Sequence, residues 1–577
     1  MGKIKRNILV ICYSLLIAGL LLYTRFVGLD WGLPYPMHPD ERNMAVAVQR
    51  LNCEVLNSGF EIANFKQCFN PHFFAYGQFP LYLAYFLIWL YKVLSGFGNI
   101  LISYELATMT LRLISAISSV SAAIMLIKII KIITGKEKEK IWWWLLIIFS
   151  PFFIQFSHFG TTESLLIFFY LLIIYFSLLL LEKKITGEKF VFLSGFFSGL
   201  SLATKVSSII YLALPIFVIL SLKKKNFYQK IFFIAYFLGF AFIFNLIFSP
   251  HNFISWDDFY FTFKYERAVA LGEIPTFYTM QFQNSLPIIF QLIKVVPSAM
   301  GLITAFLGFM GFIRIMTERK KNKKLIFLAL AFLLYFLPNG LIFAKWTRFL
   351  APVFPVILIF AILFLEKIKI LRLIKFIIVV IAILPGIAYL SIYQNPDVRF
   401  SASEWILKNI PENSYILSET ANVLDIPVIS PKSKDKGQKL SEKKLQIISF
   451  NFYDLDQNYL LQQQLRFHLS QADYIFVPSR RIFANYSCFW PDKSIGFFDN
   501  FSYLPDFCQY RKEKFPILNN YYHNLFFGNR EFVKVAEFSS YPKISFLGKT
   551  LIEFSDERAE ETWTVFDHPV IRVYKRK

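Results

Sequence analysis

Long apolar runs separated by short polar stretches fill the first two-thirds of the chain. Runs near 7–28, 105–134, 141–157, 164–182, 189–204, 207–222, 231–250, 299–316, 325–340, 349–365 and 375–392 each hold about the number of residues that crosses a bilayer. The pattern predicts a polytopic α-helical membrane protein with eleven transmembrane helices. The first run is too long for a signal-peptide core and no small-residue cleavage site follows it, so it should remain as a helix.

Lysines and arginines fix the orientation. They cluster in "GKIKR", "GKEKEK", "EKKITGEK", "LKKKNFYQK", "TERKKNKK" and "EKIKILRLIK", all in alternate loops. Basic loops stay in the cytoplasm, which places the N-terminus there and residues 397–577 outside, and the expectation is a multi-pass protein of a prokaryotic plasma membrane. One apolar stretch breaks the alternation. "FPLYLAYFLIWLYKVL", 79–94, would put the next basic loop on the wrong face if it spanned, so it should lie as an amphipathic helix at the outer surface, within a first external loop of 29–104. "NSLPIIFQLIKVVPSAMG", 284–301, reads as a similar half-embedded piece.

After residue 396 the period changes. "ASEWILKNIPENSYILSET" reads as helix, turn and strand, and "ADYIFVPS", "EFVKVAEF" and "PVIRVYKR" read as strands bounded by turn residues. The chain therefore divides into a transmembrane domain, 1–396, and an extracytoplasmic α/β domain, 397–577, long enough to bury its own core. Cys53 with Cys68, and Cys488 with Cys508, fall in the external loop and the terminal domain, where disulfides form; Cys12 lies in the first span.

Composition changes the picture in one respect. A net charge of +22 would suit nucleic acid, but the positive charge sits in loops too short to build a binding face, so nucleic acid is excluded as a partner and membrane lipid is expected. No Walker sequence or glycine-rich dinucleotide fingerprint is present.

Polar residues that interrupt apolar sequence collect on the outer side. "GLPYPMHPDERN" presents His38, Asp40 and Glu41 on a proline-bent backbone, and His72 follows in the same loop. "SHFGTTES" holds His158 and Glu163, "ATKVSS" holds Lys205, the loop after 250 holds His251, Tyr278 and Gln281, and "KWTRFLAP" holds Lys345 and Arg348. Ionisable groups near hydrocarbon are costly and usually have a task. This set suits displacement at the anomeric carbon of a lipid-linked sugar phosphate. Arg348, Lys345 and Lys205 would hold the departing phosphate, and Asp40 or Glu41 would take the proton of the incoming hydroxyl.

Blander roles compete. Asp40 can cap a helix beginning at "ERNMAVAVQRL" with Glu41 complementing its dipole, and Arg112 can pair with Glu105. His158 and Glu163, with His38 or His251, leave a divalent metal open as a cofactor. A lipid-linked sugar flippase is the alternative function, but it would predict internal repeats and charges at mid-membrane, and neither is evident.

"MHPDE", "FNPHFF…PLYL", "LRLISA", "QFSHFGTTES", "ATKVSS", "KWTRFLAPVFP" and "VFDHPVIRVYKR", in this order, resemble the protein O-mannosyltransferase-like glycosyltransferases, family 39 of the glycosyltransferase C superfamily, which also holds the aminoarabinose transferases of lipid A. "SEWILKNIP" and "FDHP" are similar to a prokaryotic branch with an extracytoplasmic C-terminal domain. The resemblance implies an integral-membrane hexosyl- or pentosyltransferase that takes a polyprenyl-phosphate-linked sugar and inverts the anomeric centre, with or without a metal. It implies that Asp40 matches the family's catalytic base, Glu41 its partner, Arg112 an arginine near the donor phosphate and Arg348 a second phosphate contact. Glu163 stands where related enzymes often carry Asp, and no β-trefoil insert is evident, so the hydroxyl acceptor is left open between protein, lipid and glycan.

Overall fold

The computed structural model describes residues 2–51, 67–96, 101–223, 225–318, 322–419, 426–428, 444–491, 502–504, 506–528 and 531–577. Helices dominate. Among the described residues six are long and apolar enough to cross a membrane: Tyr104–Thr134, Glu163–Leu181, Phe227–Phe248, Lys323–Leu341, Thr347–Lys367 and Arg372–Gln394. Two bent pairs raise the number to eight. Eleven spans are expected from the sequence; the first of them forms the helix Gly2–Phe26, and several others are interrupted for local reasons. The run 141–157 breaks at Pro151, which starts a new helix because it has no N–H to continue the old one, and the two pieces meet at 49°. The run 207–222 begins as a tight 3-10 turn, Val206–Leu212, and only then becomes the helix Ala213–Leu220. The segment 284–301 forms short helical pieces that meet Leu302–Glu318 at 116°, with the turn at Gly301 (φ +77°).

The expected span 189–204 appears as Gly187–Thr204 and packs along Phe227–Phe248. Small residues allow that approach: a Cβ at Gly199 would come 2.7 Å from the Ala241 carbonyl oxygen, and one at Gly195 2.7 Å from the Phe240 Cβ. The far side of Phe227–Phe248 leaves Phe232, Tyr236, Phe242 and Ile247 exposed, as a lipid-facing helix should. Helix Phe79–Ser95 is one-sided as expected, burying Leu81, Ala84 and Ile88 and exposing Phe86, Trp89 and Leu94.

The ends of these helices sort by charge. Lys136 and Lys140 pair with Glu366, Lys367 with Glu318, and Lys324 with Glu182, so the basic loops meet at one end of the bundle. Glu163 opens the helix that Glu182 follows, and Arg348 opens the helix that contains Glu366. These residues therefore lie at the opposite end, about 28 Å away at 1.5 Å per residue.

The C-terminal segment holds β1 (Tyr415–Glu419), β2 (Gln446–Phe450), β3 (Tyr474–Val477), β4 (Phe532–Phe538), β5 (Lys543–Phe546), β6 (Lys549–Glu553) and β7 (Ile571–Arg576). Five form one sheet in the order β2-β1-β3-β7-β4, parallel from β2 to β3 and antiparallel beyond. Helix Tyr459–Gln471 lies between β2 and β3 in the chain, as a parallel connection requires. Alternate residues of β3 face different cores: Ile475 and Val477 pack with Leu417 and Phe452, whereas Tyr474 and Phe476 pack with Val398 and Ile406. Cys488 and Cys508 form the expected disulfide. Cys68 is disulfide-bonded, while Cys53 of the expected Cys53–Cys68 pair lies outside the described residues. Cys12 is free.

Candidate active site

The stretch that carries Asp40 folds as a capped helix. His38, not Asp40, is the N-cap of Pro39–Arg50: its Nδ1 accepts the Glu41 amide at 3.4 Å, and Pro39 occupies the first helical position. Burial between Phe159 and Phe566 lowers the His38 pKa, which suits a neutral acceptor ring. Asp40 is thereby fixed one residue into the first turn, with its carboxylate towards a cavity of about 520 Å³.

Arg348 reaches the same carboxylate from the 3-10 turn Thr347–Val353. It donates to Asp40 and, at 3.3 Å, to the hydroxyl of Tyr76, and its guanidinium lies 4.9 Å from the Trp346 ring centroid. Lys205, at the end of Gly187–Thr204, stands 3.7 Å from Glu163 and 5.0 Å from the Tyr76 ring centroid. Burial alone would raise the Asp40 pKa, but Arg348 above all, with Lys205 and the Tyr76 hydroxyl, outweighs it and holds the carboxyl below the ordinary aspartate value. Glu266, on helix Trp256–Leu271 across the cavity, goes the other way, raised by burial against the opposing pull of Arg348 and Lys205. Cations outnumber acids on the walls: Arg42, Lys205, Arg267, Arg348 and Arg481 against Asp40 and Glu266. Phe73, Phe259, Phe263 and Trp346 supply apolar surface beside them. Such a cavity suits an amphiphile with an anionic head.

Several expected site residues are elsewhere. Glu41 and Arg112 form a buried bidentate pair, both bonds 2.7 Å, and Arg112 also donates to the carbonyls of Leu29 and Trp31. Glu41 further accepts the Gly160 amide at 2.7 Å. Arg112, expected beside a phosphate or paired with Glu105, instead joins the first loop to helix Tyr104–Thr134 and lines none of the cavity. Lys345 is buried too, donating to the Phe343 carbonyl at 2.9 Å, away from the cavity wall. The two ring nitrogens of His158 lie 2.7 Å from the Ile154 and Val27 carbonyl oxygens, and the ring stacks on Tyr393. His251 sits in a polar cluster with Gln78 and Ser255, and His72 is exposed on a left-handed turn. Tyr278 does line the cavity, whereas Gln281 bonds Glu560 and the Glu561 amide and braces the C-terminal segment. Among the described residues no group of three His, Cys, Asp or Glu side chains comes together to hold a metal.

Tyr76, Glu266, Trp346, Arg481, Thr562 and Phe566 were not singled out in the sequence. One signal for Tyr76 was available: it precedes Gly77, where a Cβ would fall 2.1 Å from the Ala203 carbonyl oxygen. Only glycine lets that backbone lie against the end of the Lys205 helix and carry Tyr76 to the site.

Solved structures with a similar course include ArnT from Cupriavidus metallidurans bound to undecaprenyl phosphate, 14% identical, with a TM-score of 0.45 over 69% of this chain and 72% of that one. The apo form of that protein is 15% identical, with a TM-score of 0.43 over the same shares. The Archaeoglobus fulgidus oligosaccharyltransferase tethered to an acceptor peptide is 10% identical, with a TM-score of 0.40 over 97% of this chain and 88% of that one. No curated relative matches the chain. Residues 83–251 match the family of dolichyl-phosphate-mannose-protein mannosyltransferases. The matched segment carries Arg112, Glu163 and Lys205, and through it the chain resembles the protein O-mannosyltransferase-like membrane glycosyltransferases of the glycosyltransferase C superfamily.

Proposed function

We propose that this membrane protein transfers a sugar from a polyprenyl-phosphate donor to a hydroxyl acceptor, with inversion, at the outer face of the bilayer. The observation that carries the reading is the meeting of Asp40 and Arg348 in one cation-rich, aromatic-walled cavity, at the end of the bundle away from the basic loops. The basic end is then cytoplasmic, residues 1–396 form the catalytic domain, and 397–577 form an extracytoplasmic domain that closes over the cavity through Arg481, Thr562 and Phe566.

The donor's phosphate enters among Arg348 and Lys205, and its tail lies along the apolar wall. Asp40 accepts the proton of the acceptor hydroxyl as that oxygen bonds to the anomeric carbon. The bond from that carbon to the phosphate oxygen breaks, its electron pair stays on the phosphate, and the two cations stabilise the added charge. Glu41, Arg112 and His38 act one step back, fixing the helix on which Asp40 stands.

The test supplies purified protein with labelled polyprenyl-phosphate sugars and acceptor extracts, and follows loss of sugar from the lipid. Asp40→Asn should reduce turnover by about 10²–10⁴-fold while the donor still binds. Equal turnover in the variant, or movement of intact lipid-linked sugar without cleavage, would refute it. The anomeric configuration of the product, read by NMR, tests inversion.

A further inference from the structure

Strands β5 and β6 form a two-stranded hairpin outside the main sheet. Its tip turns apolar side chains outward: Phe546, Leu547 and Leu551 are 65%, 87% and 64% exposed. A two-stranded hairpin is marginally stable in water by itself, and side chains left in water add nothing to it. Such a tip calls for an apolar partner.

The place of the hairpin on the molecule identifies that partner. β5 packs on helix Arg372–Gln394, which is long and apolar enough to span, and the Lys543 amide donates to the Ser391 hydroxyl at 3.1 Å. At 1.5 Å per residue the 23 residues of this helix cover about 34 Å, against about 30 Å of hydrocarbon, so Ser391, one turn from its end, stands where acyl chains give way to head groups. Ser391 is also on the lipid-facing side. Leu373, eighteen residues earlier, is a whole number of turns away and so shares its face, and both Leu373 and the nearby Ile377 are exposed. The chain arrives there from the sheet: Phe538, at the end of β4, meets Trp405, then Ser540 and Tyr541 share a groove with Asn395 and Pro396, and Lys543 follows at Ser391. That heading is towards the bilayer, and the four residues from Lys543 to the tip add about 13 Å. We infer that the β5–β6 hairpin dips into the interfacial layer of the leaflet at the cavity end of the bundle. Phe546, Leu547 and Leu551 lie among the acyl chains, and Lys549 reaches back to the lipid phosphates. The inference requires only that Arg372–Gln394 spans the membrane, and it stands whether or not Asp40 is a base.

The test uses the full-length protein in phosphatidylcholine nanodiscs, with Cys12→Ala removing the free thiol of the first helix. Leu547→Cys is labelled with bimane, and quenching by lipids that carry a nitroxide on the acyl chain is measured. Ile381→Cys, on the exposed side of the spanning helix, gives the value for full lipid contact, and Gln463→Cys, exposed on helix Tyr459–Gln471, gives the value for water. Label taken up by Cys12→Ala alone is subtracted. The expected result is quenching at residue 547 of at least half that at residue 381, with little quenching by aqueous iodide. Phe546→Cys, labelled in the same way, decides if Leu547→Cys fails to fold. Lipid quenching no greater than at residue 463 would overturn the inference in either of two ways: a dye open to iodide would place the tip in water, and a dye shielded from iodide would place it against a protein or a second copy of this chain.

Discussion

Two arginine–carboxylate pairs border the first loop, and they differ in kind. Glu41–Arg112 is fully buried, bidentate and supplemented by two carbonyls and an amide, so either partner alone would be an uncompensated charge. Arg112→Met should therefore cost about 3–5 kcal/mol of stability, read as a loss of melting temperature and of folded yield. Asp40–Arg348 is 22% exposed on both side chains and faces a cavity. Arg348→Gln should leave the melting temperature within a few degrees and reduce turnover by about 10²–10³-fold, because a cation aimed at developing charge is lost. Since its neighbours keep the Asp40 carboxyl below the ordinary aspartate range, the proposed base remains ionised at neutral pH, and the acid limb of kcat/KM should fall below about pH 4. Asp40 and Arg348 were legible because each is a charge at the edge of an apolar run, one of them on proline-bent backbone. The pairing of Glu41 with Arg112 was not, since 71 residues separate them and helix spacing offered Glu105 as a nearer candidate.

Elements reveal why some runs were read well and others not. β3 and β7 alternate or run apolar between turn residues, and both formed where expected. β5 and β6 escaped notice because the two-residue turn between them is Leu547-Gly548, both with positive φ, and leucine gives no hairpin signal there. Apolar length alone could not show that Pro151 and Gly301 bend their segments, nor that Glu266 arrives at the site on a helix folded across from Asp40. The Gly187–Thr204 pairing with Phe227–Phe248 depends on close backbone contact. Gly199→Ala places a methyl 2.7 Å from a carbonyl oxygen and should lower stability by about 1–3 kcal/mol, seen as a shifted thermal midpoint, whereas Gly239→Ala, with open space around it, should not.

For the whole molecule, the C-terminal domain is tied to the helices by a buried polar chain. His568 lies 2.6 Å from Asp567 and 3.0 Å from Asp556, and Asp567 accepts from Tyr393, Tyr389 and Gln155 of the helical part. Burial would lower the imidazole pKa, but the two aspartates prevail and push it up to about 10. A histidine whose pKa is raised in the fold contributes stability that is complete below about pH 6.5 and is lost as pH rises through about 10. The thermal midpoint of the wild type should fall across that window, and His568→Gln should be lower at neutral pH and flatter across it. Sequence patterning separated the helical and sheet parts but could not show this seam, whose members come from three distant stretches.

The bond between Arg348 and Asp40 also dictates an order of events. While the guanidinium holds it, the carboxylate is a poor proton acceptor, so water that enters an empty cavity meets no active base. A phosphate that draws Arg348 to itself loosens that hold, and the sugar donor should accordingly bind before the hydroxyl substrate. Initial-rate kinetics should then show a compulsory sequence, with little wasteful hydrolysis of the donor in the absence of its co-substrate.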